Sequence, residues 1–411
     1  SYNAKNYVPK DYRHEKFEDL VLHMNSSMHY KDSSMHTIDI NLDRLDTKMG
    51  VHPLRFKNFN GKVHYEDKQI VIEDFHGEIG KTNFTIDLNY YLGEDKTIKK
   101  RDNYLGLKSN YIDFDELNNF KLNSKSEVAK TNDVKKHEEA FNFYELPFTD
   151  MKFNVNVSHF IHHRIDLQNI SANLRTTPNH YMYIDTLSMN AAGGKINLSG
   201  YFNGSDPKHI YMKPDLVAEN VAIDKLLFKF ENFGQDHLIA ENLEGQLSTR
   251  IKGKIRVYPD LVPNLDQSDI QMDVKVLNGR LKNYDPMLAL SDYMGDKNLR
   301  NIRFDTLQNH LDVKKGKIII PKMTIESTLG HIEISGSHDS NQNIDYYLQI
   351  PWKIFRKATA QKLFGNNKDS LSTNKKDEIV EVDQNKKTRY LNVNVKGTID
   401  DYKVSLRKQK K

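Results

Sequence analysis

The chain has 411 residues, with 60 Lys and Arg against 56 Asp and Glu, and it contains no Cys. The lack of Cys excludes disulfides, thiolate metal sites and a Cys nucleophile, and a formal net charge of +4, spread along the chain, argues against a dedicated nucleic-acid face. The apolar fraction of 37% is low for a globular protein, but 21 Tyr and 19 Phe with so small a net charge do not suit disorder; a sheet with one dry face, whose strands are half polar, accommodates both facts.

The first residues, Ser1 to His14, are polar and carry no signal-peptide pattern. No stretch reaches the ~18–20 apolar residues of a membrane-spanning helix. From there, alternation with period two recurs to the end of the chain. Ile38, Ile40 and Leu42 alternate with Asp39, Asn41 and Asp43, and Phe84, Ile86, Leu88 and Tyr90 with Thr85, Asp87 and Asn89. Phe153, Val155 and Val157 follow, then Ile270, Met272, Val274 and Val276, and finally Leu391, Val393 and Val395. Such runs predict strands with one apolar and one wet face. Asn60-Gly61, Asn203-Gly204 and Asn278-Gly279 read as hairpin turns, with the last also compatible with a bulge. Helical spacing is rare. It is expected at Asp224 to Phe233, with Leu227 and Phe230 inward, at Asp285-Pro286 onward with Met287, Leu290 and Met294 on one face, and at Trp352 to Phe364. These signals divide the chain into an N-terminal β-repeat region (1–120), a polar linker (121–145), a middle β-repeat region (146–270), a C-terminal β-groove with short helices (271–364), a disordered insertion (365–388), and closing strands with a basic tail (389–411).

An internal repeat is the most informative feature. Tyr181 to Gly200 reads YMYIDTLSMNAAGGKINLSG, and Lys317 to Gly336 reads KIIIPKMTIESTLGHIEISG, without a gap. Ile184 matches Ile320, Leu187 matches Met323, Ile196 matches Ile332 and Leu198 matches Ile334. A fainter copy, QIVIEDFHGEIGKTNFTIDL, starts at Gln69. The unit reads as strand, short turn, strand, with Gly193-Gly194 at the turn. Successive hairpins extend one apolar face, as repeat units do, and few long helices are present to cover it. The predicted fold is therefore mainly β: an elongated, curled antiparallel sheet, or β-groove, of repeated hairpins with a few short helices.

Candidates for chemistry are sparse. His159, His162 and His163 cluster in sequence, but a metal centre needs further ligands in fixed geometry, and strand-end histidines account for them. Signatures of phosphate loops, common hydrolases, kinases and zinc proteases are missing. The reading is a non-enzymatic chain with no catalytic residues, no metal site and no cofactor. The basic amphipathic stretch Trp352 to Phe364 suits either a membrane surface or a plug at the end of the sheet.

The repeat, the segment LNGRLKNYDPMLALSDYM from Leu277 to Met294, FDTLQNHLDVKKGKIIIPKMTIESTLGHIEISGSHD from Phe304 to Asp339, IDYYLQIPW from Ile344 and LNVNVKGTIDDYKVSL from Leu391 together resemble the C-terminal region of the AsmA family of bacterial envelope proteins. LDTKMGVHPLRFKNFNGKVHYEDKQIVIEDFHGEIG, from Leu45 to Gly80, is similar to an earlier part of such proteins. The wealth of Lys, Asn, Tyr and Ile is similar to Bacteroidetes versions. The family is related to bridge-like lipid-transfer proteins. The resemblance implies a periplasmic, membrane-associated protein, the C-terminal portion of a longer chain. Membrane contact would come through a missing N-terminal segment or the terminal helix. Phospholipid is the implied partner, with outer-membrane protein machinery as a further one and no nucleic acid. The implied function is phospholipid binding or conduction along the groove in outer-membrane biogenesis. The alternatives are a scaffold subunit of an outer-membrane complex that carries no lipid, and a polysaccharide-processing or polysaccharide-binding β-solenoid. The residues expected to line the groove are Ile184, Leu187, Ile196, Leu198, Ile318, Ile320, Met323, Ile325, Ile332 and Ile334.

Overall fold

The computed structural model describes residues 17–31, 34–49, 54–93, 102–117, 148–162, 165–229, 241–258, 263–288, 299–352, 379, 389–398 and 401–407. The polar stretch 121–145, almost all of 365–388, and the amphipathic stretch after Trp352 lie outside them. The described residues form nineteen strands and three short helices in two compact units. The expectation of a mainly β chain of repeated hairpins holds. No helix among them is long and apolar enough to cross a membrane.

The first unit holds β1 (Phe17–Lys31), β2 (Ser34–Met49), β3 (Arg55–Glu66), β4 (Gln69–Ile79), β5 (Thr82–Tyr91), β6 (Tyr104–Asp113), β7 (Met151–His162), β8 (Ile165–Thr177) and β9 (Tyr181–Ala191). Each strand pairs with the next in sequence. All pairs are antiparallel except β6–β7, which is parallel, so the ladder is mixed rather than wholly antiparallel. A parallel pair needs a long crossover, and here the connection is the chain from Phe114 to Asp150. It opens with α1 (Phe114–Leu117), capped by the Asp113 carboxylate, which accepts from the Glu116 amide at 2.8 Å.

Bulges set the register. In β4 one extra residue falls between Ile72 and Phe75, which face Leu88 and Ile86 of β5. In β9 the extra residue separates Leu187 from Ile184, which faces Leu174 of β8. A spacing of three would otherwise put such residues on opposite faces; the bulge returns them to one. Asp74 takes up the left-handed φ of 50° at its bulge, as Asp19, Asn58 and Asn169 do at theirs, a conformation that short Asx side chains tolerate. The amides released from the ladder find side chains. The Asp74 amide donates to Asp87 Oδ1 at 3.0 Å, and the Asn58 amide to the buried Asp46 carboxylate at 2.7 Å. Asn60-Gly61, read from sequence as a hairpin turn, lies inside β3, because that part of the strand bulges instead of reversing.

Gly77 of β4 faces Phe84 of β5 and lies beneath Phe59 of β3. With no side chain between them, the two rings meet over the glycine, edge to face with centroids 5.5 Å apart. Phe75 joins them at 5.9 Å from Phe59. A Cβ on Gly77 would stand 2.6 Å from the Phe59 ring.

The second unit holds β10 (Gly194–Asn203), β11 (Tyr211–Ala222), α2 (Ile223–Lys229), β12 (Leu243–Val257), β13 (Pro263–Lys282), α3 (Asp285–Leu288), β14 (Asn301–Lys314), β15 (Lys317–Ser327), β16 (Gly330–Asp339), β17 (Asn343–Pro351), β18 (Tyr390–Thr398) and β19 (Tyr402–Arg407). Every successive pair is antiparallel. The turn before β10, with Ala192 at φ 50° and Gly193 at φ 79°, has the two positive φ values of a tight hairpin turn. β15 carries its bulge between Ile320 and Met323, at the repeat position that β4 and β9 use. Asn278 sits at φ 52° in a bulge of β13 opposite β12. Gly279 beside it lies under the Phe304 ring, a second glycine filled from the neighbouring strand.

The helices lie near their expected places. α2 begins at Ile223 and buries Leu227 against Val276 and Phe304. Phe230, Leu290, Met294 and His163 lie outside the described residues. A densely packed core gathers Leu299, Ile302, Leu329, Ile332, Ile344, Leu348, Ile350, Leu391, Val393 and Val395, with Met287 and Leu288 of α3 and Trp352 against it.

Gly77→Ala should destabilise the protein by about 1–3 kcal/mol, the cost of overpacking, and Phe59→Leu in the same chain should return part of it; urea unfolding of the single and double variants measures both. The Asn58 amide and Arg44 hold the Asp46 carboxyl below its ordinary value of 3.8. A carboxyl lowered by folding contributes stability above its unfolded pKa and loses it as pH falls through the folded one. Below about pH 4, therefore, the wild type should lose stability that Asp46→Asn lacks from the start, as seen in urea midpoints followed down the pH scale.

Candidate functional site

The register of the first unit can be followed strand by strand. One row runs Ser26, Ile40, Val63, Ile72, Leu88, Leu105, Phe153, Leu174, Ile184 from β1 to β9. The next runs Met24, Leu42, Gly61, Phe75, Ile86, Leu107, Val155, Ala172, Leu187. Only Ser26 and Gly61 depart from a large or small hydrocarbon. Eight spacings of ~4.8 Å carry each row roughly 38 Å across the strands. Apart from Gly61 and Ala172, every residue of both rows is half-buried or exposed. Phe114 of α1 stacks at 5.6 Å on Phe160 of β7.

The opposite face is wet and cross-linked. Asn156 Nδ2 donates to Asn154 Oδ1, Asn154 Nδ2 to Asn173 Oδ1 and Asn173 Nδ2 to Thr186 Oγ1, at 2.7, 2.8 and 3.0 Å. Arg175 forks onto Asp185 with both bonds at 2.7 Å, and each holds the other charged, Asp185 below its usual carboxylate range. His64 and Asp39 lie 2.7 Å apart, which raises the imidazole above its ordinary value. Near the end of β7, without assignment to either face, His159 pairs with Asp166 at 3.0 Å, and His162 lies 3.9 Å from Asp115. Among the described residues, no group of three or more His, Asp or Glu stands close enough to hold a metal ion.

The second unit repeats the pattern for part of its length. Leu198, Leu216, Ile251, Met272 and Leu311 form one row across β10–β14. The adjacent row, Ile196, Ala218, Thr249, Val274 and Asn309, is interrupted by two polar residues. On the wet side Arg250 forks onto Asp215 at 2.9 and 2.7 Å, and His310 meets Asp273 at 2.7 Å. Toward the C-terminus the apolar side closes into the core under α3.

The ten residues expected to line a groove therefore fall into different surroundings. Ile184 and Leu187 end the two long rows of the first unit. Ile196 and Leu198 begin those of the second and are half-buried. Ile318, Ile320 and Met323 are half-buried along β15, and Ile325 packs against the α2 cluster. Ile332, only 6% exposed, belongs to the C-terminal core, and Ile334 packs on it. The most continuous open face runs instead through Ile40, Val63, Ile72, Leu88, Leu105 and Phe153, residues whose alternation is visible in the sequence but whose common register is not. No family model, no curated protein and no solved structure matches the chain.

Ile332→Asp should cost about 3 kcal/mol or more, since it buries an unpaired carboxylate. Leu88→Asp, on a half-open face, should cost clearly less. Chemical unfolding of the two variants side by side checks the division into core and open face.

Proposed function

We propose that this chain is a non-enzymatic lipid-binding protein that shields the acyl chains of phospholipid along the apolar face of its hairpin ladder. The observation that carries this reading is the pair of partly exposed apolar rows across β1 to β9, which depart from apolar side chains only at Ser26 and Gly61. Contiguous apolar surface of this extent is uncommon on a monomer that binds nothing. A bilayer core is ~30 Å thick, so one leaflet's chain spans about 15 Å, well within the rows' reach. Burying one CH₂ is worth ~0.8 kcal/mol, so exposing a chain of about fifteen costs on the order of 12 kcal/mol. A dry face with the headgroup left in water removes most of that barrier and requires no catalytic group. Rows of apolar side chains, without a charged residue among them, offer no strong trap along the way.

The resemblance noted in the sequence extends the proposal to a bacterial envelope: a periplasmic, membrane-associated protein acting in outer-membrane biogenesis. A second reading, a scaffold within outer-membrane protein machinery, is favoured by one observation, the closely filled C-terminal core around Ile332 and Val393.

Mass spectrometry of lipid co-purified under gentle conditions tests the proposal. Phospholipid should accompany the wild type and the wet-face variant Lys108→Glu, and it should be lost from Ile86→Glu, Leu107→Glu, two residues that face each other in the second row. Well-folded wild type free of lipid would favour the scaffold.

A further inference from the structure

The two outer strands of the ladders treat their free edges in opposite ways. β19 is six residues long and carries Lys403 and Arg407, the short, charged form that keeps an edge from pairing with another chain. β1 is fifteen residues long, and from Leu20 to Tyr30 it reads LVLHMNSSMHY, without Lys, Arg, Asp, Glu, Pro or Gly. β1 bonds β2 on one side, and no second strand pairs with it among the described residues. Its Leu22, Met24 and Met28 face the same way as Leu45, Leu42 and Ile38 of β2, yet each remains about half exposed. The apolar face therefore runs out to an unprotected lip.

We propose that β1 is a dimerisation edge, on which the β1 of a second copy of this chain pairs antiparallel to continue the sheet. The strand is suited to itself. A two-fold axis centred on a residue pairs positions of equal parity, so the apolar faces of both copies fall on the same side. The uncharged segment Leu20 to Tyr30 has its midpoint at Asn25. Centred there, Leu22 meets Met28 of the other copy and Met24 meets Ser26, each pairing occurring twice. The wet side pairs His23 with Ser27. Leu20 meets Tyr30, Val21 opposite His29 sets an apolar residue against a polar one, and no like charges meet.

The absence of Cys makes the test clean. Facing residues of an antiparallel pair have Cα atoms ~4.5–5.5 Å apart, within disulfide range, so Asn25→Cys should yield a disulfide-linked dimer of the full chain under mild oxidation. His29→Cys should not, because two copies of residue 29 would stand roughly 26 Å apart, eight residues along the strand. Wild type should sediment as a dimer, and Met24→Lys, Met28→Lys as a monomer with an unchanged circular dichroism spectrum. A monomeric wild type, equal cross-linking at 25 and 29, or a dimer that survives the two lysines would each overturn the proposal. The cross-link needs no destabilising change, so a lysine variant that fails to fold leaves the test intact.

Discussion

Hydrogen-bond register is the constraint on which the rest of this molecule depends. A strand that slips by one residue turns its whole apolar set to the wet side. With nine strands contributing to each row of the first unit, one slip would interrupt the face. The bulges look like damage to the ladder, yet they preserve it. Where the sequence spaces apolar positions three apart instead of two, as from Ile72 to Phe75 or Ile320 to Met323, the extra residue is set aside and the next apolar side chain returns to its row. Asp or Asn takes the left-handed backbone at several of these points, and a neighbouring polar side chain accepts the stranded amide. The buried Asp46 under Asn58 is the clearest case.

The same economy explains the two filled glycines. A ladder of uniformly large residues would overcrowd a face; a glycine between two phenylalanines lets rings from strands two apart touch. Phe59 and Phe84 meet this way above Gly77, so three strands share one aromatic contact. Packing of this kind binds neighbouring hairpins without a second layer. That suits a chain whose apolar content is too low to build a closed core throughout its length.

Much of this was legible in the sequence, and the part that was not has physical reasons. Alternation in Phe84 to Tyr90 or Leu391 to Val395 identifies strands because a strand has a period of two. The twenty-residue repeat is visible because the bulge recurs at a fixed place in it, although alternation alone cannot say that Ile184 and Leu187 share a side. Asn60-Gly61 misleads because turns and bulges call for the same backbone conformation and hence the same residues. The parallel β6–β7 pair is invisible locally, since direction is decided by a crossover whose residues carry no pattern. Most consequential, alternation cannot distinguish an apolar face that stays open from one that something covers. Ile332 and Leu88 have the same kind of neighbours in sequence, yet α3, Leu299 and Leu329 enclose the region around Ile332 while nothing among the described residues of its unit encloses Leu88.

That contrast bears on how one repeating element can serve two purposes. A ladder that is apolar on one side has a single way to be stable where it is filled and a single way to be useful where it is not. Around Ile344, Ile350 and Val395 the side chains are almost wholly withdrawn from water, and the burial supplies the cooperativity that an open face cannot. Along Ile40, Leu88 and Phe153 the half-exposed rows forgo part of that gain. Each partly exposed side chain keeps most of the ~1.5–3 kcal/mol that full burial of a large aliphatic residue provides, and a hydrocarbon ligand laid along the row would recover the remainder. On the lipid-binding proposal, the stability forgone by the open face is the same free energy that would bind a hydrocarbon ligand, so the strength of binding and the marginal stability of the empty face would rise together.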